Sequence, residues 1–543
     1  MHIGGTWSNI NDREFKTTQP DYTHQGLNLY CGPFTSTQED AKHFFIMEGQ
    51  MFDATIQQAI LNPIRLETAY GYYGYVWHDK INGEIRIGTD KFGYFPMYYA
   101  FENGIFIFGT SINFVKSRLK TKTPDYEAWE ELLVLGEIIG EKSSVNQIKR
   151  LSEGTQIRIR NGNIRYVKYW QLEMPEPVDE ASYIRENNRL LDEAMALTAS
   201  QTMPKIVLLS GGEDSRRIAL AAERVGLEVS FYTQENSYNR DRSNYVDADF
   251  KLAKRLSEML NRPHFSEPMA NNAQYLQDWK ARDSLLGFEC IAHEWLLPLA
   301  RRISPPSLIY DGIVGDVTIN GHYLKSLPRQ TLDHYKDIDA TARLICGNET
   351  VAWLDNLRQR TASSLFERVR LSLSQYPESP HRVNLFSIFN HNRRKIACVA
   401  QMFGSYGHTT CYPFLYYPLF VQSLSLDPKL QINKHYQREC MAALSPEIVS
   451  IPTTRQIPMP DEWLIPRDDL IERQADYLLR NLHISKEAFE LFPTMQKRFW
   501  VLNNYRKLTN VSFSKLLNPP LHRWSWFISP IARFSNFLKW LDS

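Results

Sequence analysis

The apolar run Lys205–Leu209 (KIVLL) ends directly in Ser210-Gly211-Gly212-Glu213-Asp214-Ser215, and no other stretch of the 543 residues constrains the fold as tightly. A short continuous apolar run closed by a glycine turn is the pattern of a strand buried on both faces of a parallel sheet. Arg216–Val225 then has helical periodicity, and Glu228–Thr233 reads as the next strand. This strand–loop–helix–strand unit predicts a doubly wound α/β domain. Gly211 and Gly212 can take φ > 0 and let backbone approach a ligand closely. The helix start offers unpaired N–H groups and the positive end of its dipole, which suits phosphate. Ser210 and Ser215 add hydroxyl donors, and Asp214, an acid among phosphates, makes chemical sense as a Mg²⁺ ligand. Arg216 and Arg217 read either as added positive charge or as solvated helix residues. The Walker A spacing is absent.

A chain this long exceeds one core, so two or more domains are expected. Upstream, Gly71–Trp77 and Glu84–Thr89 read as strands around Asn82-Gly83. Met97–Ala100 and Gly104–Phe108 form a second pair around Asn103-Gly104, and Gln156–Arg160 and Ile164–Tyr169 flank Asn161-Gly162. Asp125–Leu135 has helical periodicity. Leu172–Val178, with two prolines, reads as a linker, and Ala181–Thr198 as an amphipathic helix. The expected division is a β-rich sandwich over 1–172, an α/β domain with a helical C-terminal part over 180–500, and a tail over 501–543. The tail carries Trp524, Trp526, Phe527, Trp540 and several basic residues, a composition that suits packing on its own domain, a membrane surface or a protein partner.

Net charge is +1, so no global field draws nucleic acid, and no nucleic-acid partner is expected. The six cysteines show no C-x-x-C spacing, which removes zinc ribbons and dithiol redox chemistry. The polar start of the chain shows no signal-peptide pattern, and no apolar run of about 18 residues spans a membrane, so the cytoplasm is the default location.

The Ser210–Ser215 loop is similar to the pyrophosphate loop of the ATP-pyrophosphatase superfamily (PP-loop), whose members cleave ATP between the α and β phosphates and adenylate a substrate. Other segments resemble the asparagine synthetase group: Gly71–Asp79 (GYYGYVWHD), Asp90–Tyr99 (DKFGYFPMYY) and Leu151–Trp170, which closes an N-terminal glutaminase-like domain of the Ntn type. Ser307–Asp316 (SLIYDGIVGD) resembles the group's second active-site strand and loop. The resemblance implies that Asp214 and Asp316 bind Mg²⁺, that Asp311 and Gly312 contact the nucleotide through backbone, and that Leu208 touches the nucleoside. Asn392–Leu415 resembles a further helix of the group, with Tyr416 where an Asp is usual. Ile451–Arg455 falls where a catalytic Lys is usual, so Arg455 would face the developing pyrophosphate charge.

Two departures shape the expected activity. Asparagine synthetases carry Cys after Met1 as an N-terminal nucleophile; here the residue is His2, which has neither thiol nor hydroxyl. Glutamine hydrolysis is therefore not expected, as in the resembling β-lactam synthetases and lasso-peptide cyclases. Three residues before Asp316, where the β-lactam synthetases place Tyr and the asparagine synthetases Glu, stands Ile313, which moves no proton. The expectation is an ATP- and Mg²⁺-dependent, AMP-forming amide synthetase, a carbon–nitrogen ligase, acting on a small-molecule or peptide carboxylate. A peptide macrolactam cyclase is the alternative within the class, and a non-catalytic nucleotide-binding partner protein is the alternative outside it.

Overall fold

The N-terminal hairpins assemble into two six-stranded antiparallel sheets, as seen in a computed structural model that describes residues 3–8, 19–235, 248–268, 272–290, 293, 296–321, 336–347 and 355–453. One sheet has the order Lys149–Arg150, Tyr98–Glu102, Ile105–Gly109, Ile3–Trp7, Leu27–Cys31, Tyr22–His24. The other runs Asn163–Lys168, Thr155–Arg160, Glu84–Thr89, Gly71–Asp79, His43–Met51, Thr35–Glu39. Ile3, Leu29, Phe106 and Phe108 of the first pack with Phe44, Ile46, Val76 and Ile87 of the second in a single cluster, which makes a sandwich. The second sheet is covered on its other face as well, where Phe45, Met47, Tyr73 and Tyr75 meet Ala59 and Ile60 of the helix Ile56–Leu61. Burial on both faces explains why Gly71–Asp79 is apolar almost throughout instead of alternating. Asn103-Gly104 and Asn161-Gly162 take positive φ at both residues, as two-residue hairpin turns require.

Residues 171–179 form no helix or strand, yet the segment is tied down by Val178 N–H donating to Ser425 O at 3.0 Å. Asp179 then caps the helix Glu180–Ala196 by accepting from Ser182 N–H.

Beyond it lies a five-stranded parallel sheet in the order His264–Glu267, Val229–Gln234, Lys205–Leu208, Leu308–Tyr310, Thr409–Cys411. Side chains alternate across it. Val207, Leu308 and Tyr310 pack with the helices Glu180–Ala196 and Glu213–Arg224. Ile206 and Ile309 pack on the opposite face with Leu299 and Ala300 of Leu297–Arg302 and with Val399 and Phe403 of Arg393–Gly404. Helices thus cover both faces, as the apolar run at 205–209 predicted. The helix after the glycine loop starts three residues earlier than its periodicity implied, because Gly212 is its extended N-cap and Glu213 and Asp214 fill its acidic first turn.

Aromatic packing and buried charge join the two parts. Tyr72, Phe92 and Phe95 cluster with Val317, Phe389 and Phe420. Arg150 Nη2 donates to Arg393 O at 3.3 Å, and Arg393 Nη1 to Glu153 Oε2 at 3.0 Å. Among the described residues no helix is long and apolar enough to cross a membrane. None of the six cysteines forms a disulfide. The tail 501–543 lies outside the described residues.

Candidate active site

From Lys205–Leu208 the chain winds outward to one edge of the parallel sheet, then crosses to Leu308–Tyr310 and the other edge. A cleft forms outside the carboxyl ends of strands at such a switch point. Here it measures about 330 Å³, and Leu208, Ser210, Asp214, Ser215, Asp311, Gly312 and Asp316 all line it. The two acidic segments read from sequence therefore meet, because each leaves one of two adjacent parallel strands.

The glycine loop is cross-braced. Ser210 N–H donates to Ser215 Oγ at 3.1 Å, and Gly212 N–H to Ser210 Oγ at 3.1 Å. The helix Glu213–Arg224 has no side-chain cap, so its first amides are available to an anion in the cleft. Glycine lets the second loop come close: a Cβ on Gly312 would stand 3.0 Å from Asp214 Cβ and 3.1 Å from Ser215 N. Between Gly312 and Gly315, Val314 is buried with φ of +81°, a left-handed conformation that is strained for a β-branched residue.

Asp316 N–H donates to Asp214 Oδ2 at 3.1 Å. Burial, and then the charge of Asp316, push the Asp214 carboxyl well above the usual range. Burial also pushes Asp311 up to about 6, against the N–H groups of Ile313 and Gly312. Two facing carboxylates at a phosphate-type helix start fit a hard divalent cation, which would remove their repulsion. Among the described residues no group of three or more His, Cys, Asp or Glu could hold a metal ion. Asp214 and Asp316 are the two carboxylates of the cleft that could hold a hard cation carried in with its own phosphate oxygens and waters.

The two arginines are not solvated helix residues: both are buried, and neither lines the cleft, although the Arg217 charge acts on Asp214 against its burial. Arg216 donates to the carbonyls of Gly211, Ile451 and Pro452 at 3.0, 2.6 and 2.5 Å, which fastens the C-terminal segment to the loop. Arg455 itself lies outside the described residues. Sequence reading missed two further residues. Asp249 accepts from Gly211 N–H at 2.7 Å, and Gln437 Nε2 donates to Asp214 Oδ1 at 2.5 Å. No local signal marks either, since they reach the loop from 38 and 223 positions away. Ile313 lines the cleft and packs among apolar neighbours on both sides.

In the N-terminal sandwich, His2 lies outside the described residues. Ile3 N–H donates to Glu48 Oε2 at 3.1 Å, Thr110 Oγ donates to the same oxygen at 2.6 Å, and burial pushes Glu48 up to about 7. Cys31 pairs with Ile3 inside the sheet, its N–H donating to Asp21 Oδ2 at 2.7 Å. Burial and the Asp21 charge push its thiol up to about 11, so little thiolate forms near neutrality.

Residues 63–170 match the family model of a glutamine amidotransferase domain, and the N-terminal domain is accordingly glutamine amidotransferase-like. No curated protein matches the chain. Among solved structures, the chain is similar to the glutamine phosphoribosylpyrophosphate amidotransferase from B. subtilis complexed with ADP and GMP, at 8% identity and a TM-score of 0.19, covering 57% of this chain and 75% of that one. A structure described as the allosteric regulatory enzyme of purine biosynthesis is similar at 8% identity and a TM-score of 0.20, covering 57% and 74%.

Proposed function

We propose that the chain is an ATP-dependent, AMP-forming amide synthetase of the asparagine synthetase type that does not draw nitrogen from glutamine. The observation that carries this reading is the meeting of Asp214 and Asp316, from loops on adjacent parallel strands, at an uncapped helix start. Ser210, Gly211, Gly212 and Ser215 cradle the β and γ phosphates, and Leu208, Asp311 and Gly312 flank the nucleoside end. Mg²⁺ held by Asp214 and Asp316 would neutralise charge on the leaving pyrophosphate. A substrate carboxylate oxygen attacks the α phosphorus, the bond to the bridging oxygen of pyrophosphate breaks, and an acyl adenylate forms. An amine then attacks the acyl carbon, loses a proton, and AMP leaves with the bonding pair. The protein contributes orientation and charge stabilisation, and Arg455 is assigned to the pyrophosphate side.

The residue leading into the Ile3–Trp7 strand is His2, which supplies no nucleophile, and Cys31 is a poorly ionised thiol whose nitrogen is a peptide amide inside a strand. With Mg·ATP, ammonium and a deproteinised extract of the source cells as acid supply, the nucleotide product should be AMP, as seen by chromatography. Adding glutamine should release no glutamate above the buffer rate. ADP as the product, or stoichiometric glutamate, would contradict the proposal.

A further inference from the structure

Each oxygen of the Asp214 carboxylate has a fixed donor: Gln437 Nε2 on Oδ1 at 2.5 Å and Asp316 N–H on Oδ2 at 3.1 Å. A glutamine amide can present either its oxygen or its nitrogen, and here Arg217 decides which. Arg217 Nη1 donates to Gln437 Oε1 at 2.6 Å, and since a guanidinium can only donate, the oxygen must face it and the nitrogen must face Asp214. Arg217 is fixed in turn, with Nη1 on Asn187 Oδ1 at 2.9 Å and Nη2 on Asn188 Oδ1 at 3.0 Å. Gln437 and Asn187 are fully buried, and Gln437 N–H is itself held by Asn320 Oδ1 at 3.1 Å. Gly315 makes room for the contact, because a Cβ there would stand 2.6 Å from Gln437 Nε2 and 2.9 Å from Asp214 Cγ.

The arrangement has a chemical consequence. An arginine placed directly on Asp214 would pair with the carboxylate and compete with a metal for it. An amide between the two transmits the orientation and leaves the negative charge in place. We infer that Gln437, set by Arg217, is a positioning residue that holds Asp214 in the orientation needed to bind Mg²⁺ on the nucleotide phosphates. This rests on the reading of Asp214 as a Mg²⁺ ligand given above.

The test is calorimetric titration of the full-length protein with α,β-methylene-ATP, in excess Mg²⁺ and in EDTA. Gln437→Met keeps the volume and loses both hydrogen bonds. Gln437→Glu keeps the shape and the Arg217 contact but turns a carboxylate oxygen on Asp214. Both should lose roughly tenfold or more of the Mg²⁺-dependent gain in affinity, the usual cost of losing a residue that orients a metal ligand. For the uncharged Gln437→Met, affinity in EDTA should stay at the wild-type value, which a general loosening of the fold would not allow. Should Gln437→Met fail to fold, the isosteric Gln437→Glu carries the test. A wild-type gain retained in the variants would overturn the positioning role. Absence of any Mg²⁺-dependent gain in the wild-type protein would instead overturn Asp214 as a metal ligand, and the inference with it.

Discussion

Asp214→Ala is expected to lower AMP formation at saturating Mg·ATP by about 10²–10³-fold, the scale on which removal of one preorganised charge-stabilising group acts. Asp214→Asn should be as inactive, because it keeps the shape and the N–H of Asp316 as a neighbour but loses the charge that a divalent cation needs. Neither variant should differ much in stability from wild type without metal. Burial and the facing Asp316 raise the Asp214 carboxyl in the folded protein, so its ionised form is disfavoured by folding. A group raised in this way stabilises the fold at low pH, and that stability is lost as pH rises through its folded-state range. At neutral pH the relief of that cost offsets the loss of the hydrogen bonds from Gln437 Nε2 and Asp316 N–H, so the melting temperature should change little. A variant both inactive and unstable would assign Asp214 a structural role instead.

The second large effect lies where the two domains meet. Arg368, in the helix Leu365–Ser374, is almost fully buried and donates to Glu131 Oε1 at 2.7 Å and Glu130 Oε2 at 2.6 Å, both in the helix Tyr126–Val134 of the N-terminal domain. Lys142 Nζ also meets Glu131 at 2.7 Å, and Arg358 Nε meets Glu130 at 2.7 Å. Arg368→Ala leaves two buried carboxylates short of their central cation and should cost about 3–5 kcal/mol. On the scale of domains this size that corresponds to a melting point roughly 10 °C lower by thermal shift. Arg370→Ala, on the same helix, breaks an ion pair to Asp339 whose side chains are 51% and 47% exposed, and should change stability by no more than about 0.5 kcal/mol. Equal, small effects of the two substitutions would show that the buried cluster does not hold the domains together.

Local chemistry made part of this molecule readable in advance. Lys205–Leu208 forms a central parallel strand because the four apolar residues Ile206–Leu209 before a glycine turn have few other fates, and the Asn-Gly turns placed their hairpins within a residue or two. The resemblance across Ser307–Asp316 pointed to the second acidic loop, and the sheet order explains why it stands beside the first. What stayed hidden depends on distant chain. Thr409–Cys411 is only three residues long and becomes a strand because Leu308–Tyr310 offers it an edge. Arg216 and Arg217 look like solvent or phosphate cations until the segment 437–452 packs over the helix that carries them and supplies carbonyls and an amide oxygen. Gln437 has no recognisable neighbours in sequence; its meaning comes from Arg217 on one side and Asp214 on the other.

The central claim is that the cleft activates a carboxylate by transferring AMP to it, and ATP–pyrophosphate exchange measures that step in isolation. Purified full-length protein would be given Mg·ATP, labelled pyrophosphate and the deproteinised cell extract, with no added amine. The account predicts label entering ATP, dependent on Mg²⁺ and on the extract, and lost in Asp214→Ala. Nucleotide binding at the cleft without extract-dependent exchange, or exchange that persists unchanged in Asp214→Ala, would contradict it.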